Sequence, residues 1–401
     1  MYRPHLPRRM NAELREGEVV LPLELFFDLV VVLGFTQCTA LMAHEGSWAG
    51  IGRGMLVLAL LWWAWTAYAW LTSVINPEEG AVRVAMFAAM AALLVAALCV
   101  PQALGDYAVG FAVAYGVVRF AQIALYLLAS RTDHELRRSV VGLAVSTTIG
   151  VGIILGAAFA PSGWREALWI LALVLDFGGP AVFGISGWKL SPSHFAERHG
   201  LVIIIALGES IVALGIASEV DLTAGVVTAA VLGVALASAL WWTYFDVVAL
   251  VTARRLVQAP VGAVRNALAR NSYSYLHLPM VAGIVLVALG LESTIAHVDD
   301  ELHAYTAFAL LGGVAIYMAA HVVLRLLNAH TVNWQRLALT IVLLACVPLA
   351  TLIPSLASLA GVVVLVWAMV AYEHHNYDER RYRLRHGLDV DLPGEADARS
   401  G

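Results

Sequence analysis

Apolar runs of about 20 residues recur along this chain from residue 20 to residue 372, and nothing else in it constrains the fold as much. At ~1.5 Å of rise per residue, a helix of that length crosses ~30 Å of hydrocarbon. Of the 401 residues, 61% are hydrophobic and 13% are charged. Soluble domains sit nearer ~45–50% apolar and ~25% charged, so no soluble core of this size could hide the surplus. The sequence therefore predicts an all-α integral membrane protein, with the lipid bilayer as its first partner.

Twelve spans are read at about 20–43, 52–74, 82–100, 106–129, 138–160, 165–187, 198–217, 223–250, 272–291, 303–326, 334–352 and 355–373. Turn-rich segments divide most of them: Asn76-Pro77, Pro101, Pro161-Ser162-Gly163, Ser191-Pro192-Ser193 and Asp299-Asp300-Glu301. Pro354 is the weakest divider. If the N-terminus is cytoplasmic, inside segments hold 21 of the 24 Lys and Arg, outside segments hold Arg53 and Arg165, and Arg119 lies within a span. That asymmetry predicts both termini inside. The first run is too long for a signal sequence and lacks a small-residue cleavage site, so it should remain as the first span. The expected organisation is a cytoplasmic tail (1–19), two six-helix halves (20–190 and 191–375) and a polar cytoplasmic tail (376–401).

The halves look related. "ALLWWAWTAYA" in the second run resembles "SALWWTYFDVV" in the eighth, and Glu24 and Glu197 open the first and seventh. A six-helix unit ends on the side where it began, so two copies would be parallel repeats, with a site expected at their interface. The Trp pairs Trp62-Trp63 and Trp241-Trp242 lie too deep for interfacial belts. Packing is one use for them, and an aromatic wall for an organic substrate is the other.

Ionisable groups inside a span are costly unless paired or wet, so each marks a candidate path for substrate, ion or proton. Asp28 lies ~10 Å into the first helix, Glu209 ~16 Å into the seventh, and Asp176 and Arg119 ~18–20 Å from the outer ends of theirs. Asp246 and His321 fall in the inner thirds of the eighth and tenth. Glu24 and Asp28, one turn apart, are ~40° apart on the wheel and share a face. Two acids so placed repel unless a cation, a proton or an Arg sits between them. Arg119, read as the one intramembrane base, is expected to pair with Asp28, Asp176 or Glu209. The first and seventh helices are expected to face each other.

Other motifs exclude chemistry. His194 and His199 of "HFAERH" lie ~140° apart on a helix and do not face one metal. "GES" at Gly208–Ser210 lacks the last Gly of a nucleophile elbow, and no strand precedes it. No phosphate-binding Gly loop is present, and no basic cluster with interleaved aromatics points to nucleic acid. Cys38, Cys99 and Cys346 are isolated in apolar runs and indicate neither disulfide nor zinc. Glu373-His374-His375 reads as a solvated helix end. No cofactor and no metal are expected.

"LELFFDLVVVLGFTQ", "HFAERHGLVIIIALGESIVALG" and the paired "WW" segments resemble the bacterial low temperature requirement A (LtrA) family over about residues 20–375. The resemblance implies a polytopic protein of the bacterial plasma membrane, named for a cold-growth phenotype, and brings no settled substrate or reaction. Its signature positions match as Glu24, Asp28, Gln37, Glu197, Arg198, Gly200 and Glu209. A weaker likeness is to lysosomal potassium channels, but Leu201 stands where the partner of Asp28 would align, which counts against a symmetric pore. The leading expectation is a secondary transporter, proton- or ion-coupled, of an unknown small solute or ion. An intramembrane enzyme on a lipidic substrate and an ion channel are the alternatives, and a homo-oligomer is allowed.

Overall fold

The structure, a computed structural model, describes residues 19–182, 184, 187–216 and 221–385. Twelve helical rods fill them, one on each apolar run: α1 (Pro22–Glu45), α2 (Trp48–Thr72), α3 (Gly80–Gln102), α4 (Ala108–Ala129), α5 (His134–Ala157), α6 (Ser162–Val182), α7 (Pro192–Ile216), α8 (Ala224–Gln258), α9 (Ala263–Ala296), α10 (Ala304–Ala329), α11 (Trp334–Ala350) and α12 (Ser355–Arg385). The expected tails at 1–18 and 386–401 lie outside the described residues. Nine rods are long and apolar enough to cross a membrane among the described residues, against the twelve spans expected. The remaining three are α6, α7 and α11. The last has 17 residues, about 25 Å of helix and short of the ~30 Å needed. α6 and α7 each carry three ionic residues within their length: Arg165, Glu166 and Asp176 in one, Glu197, Arg198 and Glu209 in the other.

Local chemistry sets the helix ends. Pro22 and Pro192 occupy the first position of α1 and α7, where a missing N–H costs nothing. Among the described residues side chains cap four starts: Ser47 accepts from Gly50 N at 3.1 Å, Asp133 from Leu136 N at 3.1 Å, Thr223 from Val226 N at 3.2 Å and Asn333 from Arg336 N at 3.2 Å. α10 ends at His330, in the left-handed region with φ 51°. α8 bends after Phe245 and resumes at Val248. It runs on to Gln258, past the end of its apolar run, because Val248–Gln258 is amphipathic rather than apolar. α9 and α10 contain π-helical turns, Ala269–Tyr275 and Phe308–Gly312.

The chain divides into two compact units of interleaved segments. The first takes residues 19–31, Leu60–Arg198 and Ala259–Ala267. In it α3 packs on α4, α4 on α5 and α5 on α6, around buried Trp62, Trp65, Tyr68, Trp169, Phe111 and Tyr126. Its outer faces are apolar at helical spacing, as with Val109, Val113, Val117 and Phe120 on α4, a surface suited to lipid. The second unit takes Val32–Ala59, His199–Gln258 and residues 268–385. There α9 packs on α10, α10 on α11 and α12 on α8.

The α9–α10 crossing brings backbones together. A Cβ on Gly283 would lie 2.6 Å from the Gly313 carbonyl oxygen, and one on Gly290 2.6 Å from the Leu310 Cβ. Helices in lipid associate through such small-residue contacts. Gly283→Val should therefore lower the melting temperature of the detergent-solubilised protein by an overpacking cost of at least ~1–3 kcal/mol. Gly52→Ala, where no atom lies within 4 Å, should leave it unchanged. Equal melting curves for the two variants would refute the close crossing.

Candidate functional site

The shared proline start places two side-chain pairs in register. Glu24 is the third residue of α1 and His194 the third of α7, while Asp28 and Arg198 follow one turn later on each. Within the first unit the pairs meet in that order. His194 Nε2 lies 2.9 Å from Glu24 Oε2, and Arg198 Nη2 donates to Asp28 Oδ1. Arg198 Nη1 bridges back to Glu24 Oε1 at 3.6 Å and donates to Thr72 Oγ1 at 2.9 Å. Trp65 of α2 donates from Nε1 to the same Asp28 Oδ1 at 2.7 Å, and its ring lies 5.6 Å from the Arg198 guanidinium carbon. Glu24 also reaches back to Leu21 N at 2.9 Å, half of a capping box. All four ionisable side chains are fully buried, 0% exposed.

The face shared by Glu24 and Asp28 thus turns inward, as expected, and α1 meets α7. Their neutralising partner is not Arg119, however. Arg198, expected among the inside-segment charges, is a second fully buried guanidinium, and His194, weighed as a metal ligand, is the other partner. The charge count has a consequence. Arginine stays protonated, so among the described residues two carboxylates and one guanidinium leave one negative charge in a buried, apolar setting. Such a charge is expensive. One proton anywhere on the cluster would bring it to neutrality.

Arg119 closes a separate site in the first unit. Its Nη2 donates to Asp176 Oδ2 at 2.9 Å, to Asp176 Oδ1 at 3.1 Å and to Thr147 Oγ1 at 2.8 Å, and Thr147 in turn donates to Asp176 Oδ1 at 3.0 Å. Trp63 offers its carbonyl to Arg119 and stacks on Phe177 at 4.0 Å. Asp176 is thus the partner taken from the three expected acids. This cluster is one-to-one and needs no proton to be neutral.

The other sequence candidates scatter. Glu197 is exposed and accepts from Val20 N at 3.2 Å. In the second unit Glu209 is buried, within hydrogen-bonding reach of Thr36 and close enough to half-buried Glu292 to feel its charge. Gln37 is half-buried and belongs to neither cluster. Asp246 is buried at the α8 bend. His321 is buried between Tyr244 and Tyr317, with ring centroids 6.1 and 4.6 Å away. The two Trp pairs differ: Trp62 and Trp63 are buried, whereas Trp241 is 45% exposed and Trp242 is half-buried, edge-on to Trp367.

Two groupings in the second unit were not expected. His321 belongs to an aromatic nest with His199, His277, Tyr244, Tyr273 and Tyr317. His277 Nδ1 faces the Ser272 carbonyl at 2.9 Å and so carries its proton there, leaving Nε2 to accept from Tyr244 OH at 2.8 Å. Glu373, read as a solvated end, is buried and bidentate to Arg336, with both bonds at 3.0 Å. The i, i+4 complement of Glu24/Asp28 and His194/Arg198 was the available signal for the first cluster. The nest had none, its members being spread over more than a hundred residues.

Removing Arg198 would strand two buried acids. Arg198→Leu should destabilise the protein by about 3–5 kcal/mol, and adding Asp28→Asn should recover part of that loss. Thermal unfolding of the single and double variants checks this. A double variant no more stable than Arg198→Leu alone would contradict the pairing.

Residues 19–371 match the family description for the bacterial low temperature requirement A protein (LtrA). An uncharacterised protein of Rhizobium meliloti (strain 1021) is 29% identical over 375 residues, covering 88% of this chain and 89% of that one. No solved structure matches. The chain therefore belongs to the LtrA family of multi-pass bacterial membrane proteins.

Proposed function

We propose that this protein is a proton- or ion-coupled secondary transporter of a small solute, with the Glu24–Asp28–His194–Arg198 cluster as its coupling site. The observation that carries the reading is the uneven charge count: two acids and one guanidinium, fully buried, with an imidazole 2.9 Å from one acid. A group that must bind one proton to be neutral, and can release it when water or a cation arrives, is what coupling requires. The other buried pairs, Arg119–Asp176 and Arg336–Glu373, are balanced one-to-one and serve as fixed struts.

The reading carries a topology with it. Both termini lie in the cytoplasm of a bacterial plasma membrane, as the distribution of Lys and Arg supports. The cluster then sits toward the cytoplasmic ends of α1 and α7. The two six-helix halves are parallel repeats, supported by the recurring Trp pairs and by the matched proline starts of α1 and α7. One observation favours a second reading. Glu24 and His194 lie within hydrogen-bond reach, the geometry a general acid–base pair of an intramembrane enzyme would need.

Asp28→Asn removes one negative charge, so Glu24 and Arg198 then balance without any proton. The variant should fold and insert at least as well as the wild type, yet lose proton-linked flux. The assay is a screen of candidate solutes against proteoliposomes loaded with a pH-sensitive dye. Full solute-dependent proton flux in both Asp28→Asn and Glu24→Gln would make the cluster structural and overturn the reading.

A further inference from the structure

One face of α4 is polar through the middle of the first unit. Tyr115, Arg119, Gln122 and Tyr126 follow one another at spacings of four, three and four, so they fall within an arc of about 60° and run ~16 Å along the helix. All four are at most 2% exposed. Each has a buried polar atom with no hydrogen-bond partner among the described residues: Tyr115 OH, Arg119 Nε, Gln122 Oε1 and Tyr126 OH. A buried polar group is normally paired, and four orphans in a row on one helix face are not a packing accident. The Thr66 hydroxyl on α2 is a fifth, one turn from Trp63, whose carbonyl touches Arg119. The opposite face of α4, with Val113, Val117 and Phe120, is exposed and apolar.

The stripe leads to an opening. Tyr126 meets the Trp188 ring edge-on at 5.1 Å. Trp188 and Ala129, one turn beyond Tyr126, line a cavity of about 550 Å³ whose other walls include Asp133, Lys189 and Asn266. Asn266 fixes Trp188 by donating to its carbonyl at 2.7 Å. Lys189, hydrogen-bonded to Asp133, holds that carboxyl below the usual carboxylate range, so the pair stays charged and mutually neutral at the mouth. Asp176 likewise cancels Arg119 halfway along. Around the cavity Asp133 and Glu135 are matched in number by Lys189 and Arg265, so the lining offers hydrogen-bond donors and acceptors with no net charge. Along the stripe an anion would find the Arg119 guanidinium already taken, and a cation would find the Asp176 carboxylate already taken.

We propose that this cavity and the polar face of α4 form a solute path through the first unit, with Trp188 at its mouth, that takes a small uncharged hydrogen-bonding solute of polyol or amide type. The claim that the solute crosses rests on the transport reading, whereas the claim that the face is wet and binds does not.

Two measurements, both made without a pH gradient, test it on the full-length protein. In a background lacking Cys38, Cys99 and Cys346, Gln122→Cys and Tyr126→Cys should react with a water-soluble methanethiosulfonate at least about tenfold faster than the lipid-facing Val117→Cys, because thiolate forms only where water reaches. In stopped-flow swelling of proteoliposomes, glycerol or urea should enter faster than into protein-free vesicles. Gln122→Leu, its folding verified by size-exclusion chromatography, should return entry to the protein-free rate, and Val117→Ala should leave it unchanged. Cysteines at 122 and 126 as inert as that at 117 would overturn the path. Accelerated water flux with no glycerol or urea entry would overturn the solute class. Loss of proton coupling alone would leave both results standing, so the two readings fail separately.

Discussion

A guanidinium closed inside an apolar protein has to be answered by carboxylate, and around Arg198 the answer is one acid too many. Much of the first unit follows from accommodating that excess. Proline at the first position of both α1 and α7 puts Glu24 opposite His194 and Asp28 opposite Arg198. α2 contributes the Trp65 indole to Asp28 and the Thr72 hydroxyl to Arg198. Shifting the start of either helix by one residue would rotate its pair by about 100° and break both contacts.

The buried ion pairs of this LtrA protein are of two kinds. Among the described residues Arg119–Asp176 and Arg336–Glu373 are one-to-one, the first with both carboxylate oxygens on Arg119 Nη2 and the second bidentate, and each is supported by a third polar side chain, Thr147 in one and Asn333 in the other. Such closed pairs fix the register of helices and gain little by changing protonation. The Arg198 cluster contains the same interaction plus a second acid and an imidazole. On the coupling reading, that difference in stoichiometry, rather than burial as such, separates a strut from a switch.

The sequence makes some of this legible and hides the rest for physical reasons. Twelve helices could be read from hydrophobic runs because lipid demands them, and Glu24 and Asp28 stood out because acids in such a run need a reason. Arg119 could be assigned an acid partner because an unpaired guanidinium at that depth is untenable. Arg198 was legible as a family signature position but not as the partner of Glu24 and Asp28, because its position near the end of α7 resembles that of a loop charge, and depth along the sequence does not report burial by neighbouring helices. Glu373 escaped for the same reason. Gln122 and the two tyrosines of α4 are uncharged, so a search for ionisable groups passed over the stripe they form with Arg119. The nest around His321 joins residues from α7, α8, α9 and α10, and no local pattern announces a tertiary cluster.

The coupling reading assigns one proton to the Glu24–Asp28–His194–Arg198 cluster, and that proton can be counted directly. Infrared difference titration of the purified protein, with isotope-edited histidine to separate imidazole from carboxyl bands, should show one proton per chain exchanging within the cluster. In Asp28→Asn, where the remaining charges already balance, that exchange should vanish. The same titrating band at the same amplitude in wild type and Asp28→Asn would contradict the charge count and, with it, the coupling site.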